Sequence, residues 1–405
     1  MYGLLALLTL PAALAQTIPN VSLLIDNPAV YNGKATIRSI LPWVSVRKGS
    51  LFHFGSTHDI FAPAAEADWT SDKFWNVWNH IVAENGCKWY DTEPQPFVHN
   101  LTDCKGVQQY ATDHGATFRG HNTFWHSQTP SWLPGNVSAS ELVNKVIPNH
   151  VQTEISGLGW DVTSWDVTNE LIGDSTTMGM DAWECVQSAD RWPTVTVDGG
   201  STPLVTDLSF AYAAWSTALK YDPGKLVYND YSTGATNNSK TECVFKLIAS
   251  LNEQAGVPYS RMGVGFQSHV GASPGQFVPK DQLETTFKRL ADLGVDALIT
   301  EMDMWIPTNT TAALRYQAAI WGDYIDACLY SSNCHEFINW DNRDDTSWIT
   351  PGPGHGVAMP TLFDANGNPK PVYYEVLARF ERYAAWKPEM CATAMGVAHC
   401  TVPRD

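Results

Sequence analysis

Short apolar and β-branched runs recur along the chain, each followed by a longer stretch whose apolar residues fall at helical spacing. The runs are LFHFGST (51–57), IVAENGCKW (81–89), TFRGHNTFWH (117–126), SWDVTNEL (164–171), KLVYNDY (225–231), GVGFQSH (263–269), DALITEMDM (296–304) and EFINW (336–340). Between them, Ser138 opens the amphipathic SASELVNKVIPNHVQTEISGLG and Gly294 closes DQLETTFKRLADLG, a helix start and a helix stop by residue type. Eight strand-then-helix units predict an α/β fold, a single (β/α)8 TIM barrel of parallel strands, with an open doubly wound sheet as the alternative. The runs also end alike. Glu84 and Asn85, His121 and His126, Asn169 and Glu170, Asn229 and Asp230, Gln267 and His269, Glu301 and Asp303, and Trp340 all fall at C-terminal ends, the face on which such barrels carry their functional groups. Packing alone gives no reason for polar side chains there in strand after strand.

No low-complexity linker or short-period repeat divides the 405 residues, so one domain is expected. The apolar run from Leu4 to Leu14, ending in Ala13-Leu14-Ala15, reads as a cleaved secretion signal over 1–15, with the mature chain starting near Gln16. Residues 16–48 then form an N-terminal extension packing on the barrel, 49–387 the barrel itself, and 388–405 a C-terminal tail. An extracellular location agrees with eight cysteines (Cys87, Cys104, Cys185, Cys243, Cys328, Cys334, Cys391, Cys400) and with glycosylation acceptors at Asn20, Asn100, Asn136, Asn237 and Asn309. No Cys-x-x-Cys pair occurs, which points to disulfides rather than a zinc or redox motif. Their connectivity stays open at this stage, although Cys328 with Cys334 and Cys391 with Cys400 are near enough to close small loops.

A net charge of −17 with only 25 Lys and Arg excludes a polyanion, so no nucleic-acid partner is expected. Beyond the leader no apolar stretch is long enough to span a bilayer, so no membrane partner is expected either, and the protein should act as a monomer. The aromatic content is high, with 17 Trp and 15 Tyr, rigid faces suited to stacking on sugar rings; about half should only fill the core.

Glu170 and Glu301 end the fourth and seventh runs and would face each other across the mouth of a barrel. Two carboxyl groups are the minimum machinery for cleaving a glycosidic bond, one to hand a proton to the departing oxygen and one ionised to attack the sugar. A metal is the rival use of such residues. The 12 histidines contain no His-x-x-x-His, and the nearest grouping, His269 with Asp303, is better suited to orienting a carboxylate. Neither a catalytic metal nor a cofactor is expected.

Seven ordered motifs, ENGCKW (84–89), RGHNTFWHSQTPSW (119–132), WDVTNE (165–170), YNDY (228–231), GFQSH (265–269), ITEMD (299–303) and NWDNRDDTSW (339–348), resemble glycoside hydrolase family 10, the secreted endo-β-1,4-xylanases, from about residue 50 to about 385. Trp340, Asp344 and Trp348 keep the family's spacing, and ACLYSSNC resembles its short disulfide loop, which favours Cys328 with Cys334. The resemblance implies hydrolysis of a polysaccharide by double displacement, with Glu170 as acid/base, Glu301 as nucleophile and their carboxyl groups about 5–5.5 Å apart. It further implies that Asn169 holds the sugar 2-hydroxyl, that His269 bridges Glu301 and Asp303, and that Gln267 assists at the same place. Glu84, Asn85, Lys88, His121, Trp125 and Trp348 would line the glycone side above a floor of Trp340.

Several positions depart from the family. Cys87 stands where Met is common, Asp341 follows Trp340 where Gly is usual, and STHDIF (56–61) is an unusual exit from the first strand. The stretch 172–206, carrying Trp183, Cys185 and Trp192, is a long insertion after the acid/base; Cys185 should pair with Cys243, because both follow neighbouring strands on the mouth side. These departures bear on which glycan is cut. A relative that deglycosylates plant saponins such as tomatine is the alternative substrate class, and a non-catalytic glycan binder is disfavoured because both carboxylates are kept.

Overall fold

The computed structural model describes residues 36–59, 75–133, 137–187, 194–197, 200–203 and 205–385. The eight expected runs become eight parallel strands: β1 (His53–His58), β2 (His80–Ala83), β3 (Thr117–His121), β4 (Val162–Asn169), β5 (Lys225–Asp230), β6 (Met262–Phe266), β7 (Asp296–Trp305) and β8 (Cys334–Asn339). Each pairs with the next, and β8 closes on β1 with Phe337 opposite Phe54. The sheet is therefore a closed (β/α)8 barrel, not an open one. The second and third strands end well short of their runs, at Ala83 and His121. β2 stops at Ala83 because Asp59 Oδ1 takes the backbone N–H groups of Asn85 and Gly86 out of the ladder, and Trp89–Thr92 becomes a helical turn.

Local signals start and stop the helices. Ser138 and Glu141 form a reciprocal capping box ahead of a π-helical turn over Leu142–Val146 and the Ile147–Leu158 helix. Gly294, at φ +81°, ends the Lys280–Leu293 helix in the left-handed conformation that glycine adopts freely. Within the expected N-terminal extension, an Ile37–Lys48 helix buries Ile37, Ile40, Leu41 and Val44. Its Lys48 ammonium donates to the carbonyls of Cys328, Leu329 and Ser331 at the end of the Thr311–Tyr330 helix. No helix among the described residues is long and apolar enough to cross a membrane.

The barrel interior is polar at mid-height. Arg119 on β3 is fully buried and forms a two-pronged pair with Asp166 on β4, while its Nε lies 2.9 Å from Glu336 on β8. Burial pushes the Glu336 carboxyl up, but the charge of Arg119 and the hydrogen bond from His80 overcome it and hold it at about 2. Asp166 also meets His121 Nδ1 at 2.7 Å, which carries the network to the C-terminal rim. Above this layer Val82, Ile338 and Trp340 form a small apolar cluster, and the main core lies between the sheet and the helices.

Among the described residues there are three disulfides: Cys87–Cys104, Cys185–Cys243 and Cys328–Cys334. Cys391 and Cys400 lie outside the described residues, as do Asn20 and Asn136; Asn100, Asn237 and Asn309 are exposed. The insertion after β4 contains the Ala182–Gln187 helix and a hairpin of Thr194–Val197 with Gly200–Pro203. It is tied to the exit of β5: Tyr231 donates to Asp174 at 2.6 Å, and Lys240 pairs with Asp174 and with Asp230, each at 3.0 Å. The Cys185–Cys243 bridge spans 58 residues, and a loop of that size restrains the unfolded chain by about 4 kcal/mol in the entropic account. Replacing both cysteines with serine should lower the unfolding free energy in urea by roughly 2–4 kcal/mol. An unchanged transition midpoint would show that the bridge does not hold the insertion.

Candidate active site

Two irregularities in the sheet aim the mouth residues. On β4, Asp166 lies opposite Val227 and Thr168 opposite Tyr228, one extra residue on β4. The alternation slips there. Ser164 and Asp166 face the interior, Thr168 faces outward to accept from Trp215 Nε1 at 2.9 Å, and Asn169 faces inward again. Glu170 then adopts φ +53°, a value unusual for a residue with a side chain, and its carboxylate enters the mouth beside Asn169 instead of pointing away from it. On β7 a similar slip separates the Ile299–Phe337 and Met302–Asn339 pairs, and both Thr300 and Glu301 reach Asn229.

A chain of hydrogen bonds joins the two carboxylates. Gln267 Nε2 donates to Glu170 Oε1 at 2.8 Å and lies 3.4 Å from Asn169 Oδ1. Asn229 Nδ2 donates to that same Asn169 oxygen at 2.9 Å and to Glu301 Oε1 at 2.6 Å. The second oxygen of Glu170 accepts from Trp125 Nε1 at 2.9 Å, with His126 Nε2 at 3.9 Å. Glu301 Oε2 faces His269 Nε2 at 3.1 Å, and the other nitrogen of that ring meets Asp303 Oδ2 at 2.8 Å.

The electrostatics follow from these partners. Burial alone would raise the Glu301 carboxyl; the hydrogen bond from His269, the charges of His121 and His269, and the bond from Asn229 bring it down to about 2. Burial disfavours the His269 cation in turn, but the charge of Asp303 and the hydrogen bonds to Asp303 and Glu301 raise it to about 10. At neutral pH Glu301 is a carboxylate facing an imidazolium; on the far side of the ring, burial raises the Asp303 carboxyl, opposed by the charge and hydrogen bond of His269 and by the bond from Trp348.

The remaining predicted residues surround this pair. Asn85 Oδ1 accepts from Lys88 Nζ at 3.1 Å and from Gln128 Nε2 at 3.2 Å, and Asp59 holds its amide nitrogen at 2.8 Å. Lys88 Nζ lies 5.1 Å from the centre of the Trp125 ring; burial lowers its affinity for a proton, opposed by the charges of Glu301, Glu84, Asp59 and Glu170. Glu84 is raised by burial and by Asp59. Trp340 is buried with its ring against His121 at 5.2 Å, whereas Trp348 is 53% exposed and donates through Nε1 to Asp303 at 2.9 Å. Every residue predicted for catalysis or sugar binding thus lies at the one mouth. Sequence reasoning placed Asn229 at a strand end without giving it a role, and did not single out Asp166 or Arg119. Asn229 stood in the quoted YNDY motif, and its position at a strand end was its only signal.

Away from the mouth, one atom each of Glu93, His99 and His150 lie within 4.8 Å of one another, a spacing that could hold a metal. Burial opposes a charge on His150, yet Glu154 and Glu93, 3.2 Å from its two nitrogens, raise it to about 9. The Glu93 oxygens also accept from Trp89 Nε1 and Phe97 N–H. Both ring nitrogens of His150 thus already face a carboxylate.

Comparison with known proteins places this geometry. A chain of similar sequence over 96% of this one and 92% of its own length is endo-1,4-beta-xylanase 5 of Pyricularia oryzae, at 29% identity. Endo-1,4-beta-xylanase C of Phanerodontia chrysosporium is 31% identical over 75% of this chain and 70% of its own. Among solved structures, native xylanase 10B from Thermotoga maritima superposes with a TM-score of 0.73 at 27% identity, covering 87% of this chain and 100% of the other. Xylanase 10B from Thermotoga petrophila, in complex with xylobiose, gives 0.72 at 28% identity, covering 86% and 98%. Residues 52–379 match the family described as glycosyl hydrolase family 10. With that match running from β1 into the last helix and enclosing both carboxylates, the chain belongs to glycosyl hydrolase family 10 and is a glycoside hydrolase.

Proposed function

We propose that the protein is a secreted endo-β-1,4-xylanase that cleaves internal bonds of plant cell-wall xylan with retention of configuration. The observation that carries this reading is the pairing of a buried, strongly ionised Glu301 with Glu170 through the Gln267, Asn169 and Asn229 amides. Relatives named xylanases along most of the chain support xylan as the substrate and do not favour a saponin. The three disulfides and the apolar leader support secretion.

In the first step Glu301 attacks the anomeric carbon while Glu170 passes a proton to the departing glycosidic oxygen, leaving a glycosyl ester on Glu301 and a free sugar hydroxyl. In the second, Glu170 takes a proton from water, whose oxygen displaces Glu301 and restores both groups. Asn169 has its Oδ1 engaged by two amides, which leaves its Nδ2 for the sugar 2-hydroxyl, where a hydrogen bond strengthens as the transition state forms. His269 fixes the Glu301 rotamer and favours its ionised form; Asp303 holds His269 in turn. Trp340 and Trp348 supply apolar faces for the sugar rings.

Glu301→Gln should lose activity on every substrate by at least roughly 10⁴-fold, because no ester can form. Glu170→Ala should lose about 10³-fold on xylan but far less in the first step on an activated aryl xylobioside, whose leaving group needs no proton. Added azide should then speed its turnover and give a glycosyl azide of retained configuration. Rescue of Glu301→Ala in place of Glu170→Ala, with an azide product of retained configuration, would exchange the two roles, since azide standing in for a missing nucleophile gives the inverted product. Reducing-sugar release compared on xylan, cellulose, mannan and a glycoalkaloid tests the substrate, and faster release from any of the last three would overturn xylan.

The pH behaviour follows from the two shifted groups. His269 is raised from 6.5, so its contribution to stability is full below 6.5 and is lost as pH climbs through about 10. Glu301 is depressed from 4.5, so its contribution is full above 4.5 and is lost as pH falls through about 2. Nitrogen NMR of the imidazoles should find His269 protonated at neutral pH and titrating at about 10, and lower in Asp303→Asn. A His269 ring that titrates near 6.5 in the parent enzyme contradicts this.

A further inference from the structure

Asp341 stands at the exit of β8, directly after Trp340, where relatives of this family usually have glycine. Its φ is +64°, so the backbone keeps the left-handed turn that a glycine would make, and the added side chain is only 3% exposed. Aspartate is among the few residues that tolerate this conformation, and here the surroundings reward it. Its backbone N–H donates to Thr57 Oγ1 at 3.1 Å, and that hydroxyl lies 3.3 Å from Asp341 Oδ1. Oδ2 accepts the backbone N–H of Trp348 at 3.2 Å. The carboxyl group also hydrogen-bonds the side chain of Glu84, which is half-buried at the mouth.

Two carboxyl groups can share a hydrogen bond only if one keeps its proton. Asp341 is the more buried of the two and is raised well above the usual range by burial and by the charge of Glu84; Glu84 is raised as well, by burial and by the charge of Asp59, with the bond from Asp341 opposing the rise. The pair therefore shares a proton, and Glu84 is held toward Asp341 at the edge of the cleft. From Asp341 the connections run on: Trp348 reaches Asp303 through Nε1 at 2.9 Å, Asp303 holds His269 at 2.8 Å, and His269 faces Glu301 at 3.1 Å.

We propose that Asp341 is a positioning residue for the glycone side of the cleft, hydrogen-bonded to Glu84 and accepting from the backbone of Trp348 so that both sugar-contacting groups are set before substrate arrives. It touches no sugar itself. The proposal rests on the xylanase reading above, and it gives this chain a rigid glycone subsite in place of one in which Glu84 is free to turn. Orientation fixed in advance lowers the ordering cost of binding, so the benefit belongs in KM rather than kcat.

The test is a double-mutant cycle of Asp341→Gly and Glu84→Gln, read as KM and kcat on an aryl β-xylobioside. Glycine suits the +64° turn, so Asp341→Gly should fold, with a melting temperature close to that of the parent. Its KM should rise roughly tenfold, the scale of one hydrogen bond to a charged group, with kcat falling far less. Because the bond to Glu84 is already lost in Glu84→Gln, adding Asp341→Gly should raise KM by clearly less than the roughly tenfold it causes alone, the remainder being its hold on Trp348. Asp341→Asn, which still donates through its amide, should recover most of the parent KM. Independent, multiplying effects in the cycle, or an unchanged KM in Asp341→Gly, overturn the proposal. Failure of the parent enzyme to hydrolyse the xylobioside would overturn the xylanase reading instead, a result visible before any variant is made.

Discussion

A negative charge buried at the C-terminal end of a barrel strand must be surrounded by donors, and most of the mouth follows from meeting that requirement for Glu301. His269 and Asn229 supply the contacts, and His121 adds positive potential. Each of these groups needs a further partner of its own. His269 finds Asp303, Asn229 accepts from Thr300, and His121 meets Asp166, which is paired with Arg119 and so connected to Glu336 on the far side of the barrel. Satisfying one carboxylate thus recruits groups from six of the eight strands or their exits, and a polar network in a dry interior is stable only when all its members are satisfied.

The same requirement explains the slips in register. An unbroken two-residue alternation from Ser164 and Asp166 would send Asn169 outward, on the side of Trp165 and Val167, and leave Asn229 without a side-chain partner on β4. The extra residue between Asp166 and Thr168 returns Asn169 to the interior, and the left-handed turn at Glu170 brings a second consecutive side chain to the mouth. The local cost of these irregularities is offset by the hydrogen bonds they permit, and they fall where the proposed chemistry needs consecutive residues on one face.

Much of this was legible in the sequence. The eight strands were readable because each is a short apolar run set apart from the next by a longer stretch, several of them amphipathic with recognisable start or stop residues, and the mouth was readable because polar residues repeat at the ends of those runs. Other features were not. Periodicity cannot report a bulge, since the slip exists only relative to a partner strand. Arg119, inside a run that reads as strand, gave no sign that it would carry the ion network through the barrel centre. The Glu84–Asp341 contact joins residues far apart in the chain, and only closure of β8 onto β1 brings the exits of β8 and β2 together. The Ile37–Lys48 helix fell within a segment expected merely to pack on the barrel, because its anchoring cations act on carbonyls that no sequence pattern marks.

The central claim is that Glu301 forms the covalent bond to the sugar. A 2-deoxy-2-fluoro xylobioside with a good leaving group slows both steps, the second more, and so accumulates the glycosyl enzyme for peptide mapping by mass spectrometry. The account predicts one equivalent of difluoro-free, singly fluorinated disaccharide on the peptide containing Glu301, attached at that carboxylate and released on standing as the retained product. Label on Glu170, or rapid turnover to the inverted sugar with no adduct at all, would contradict it.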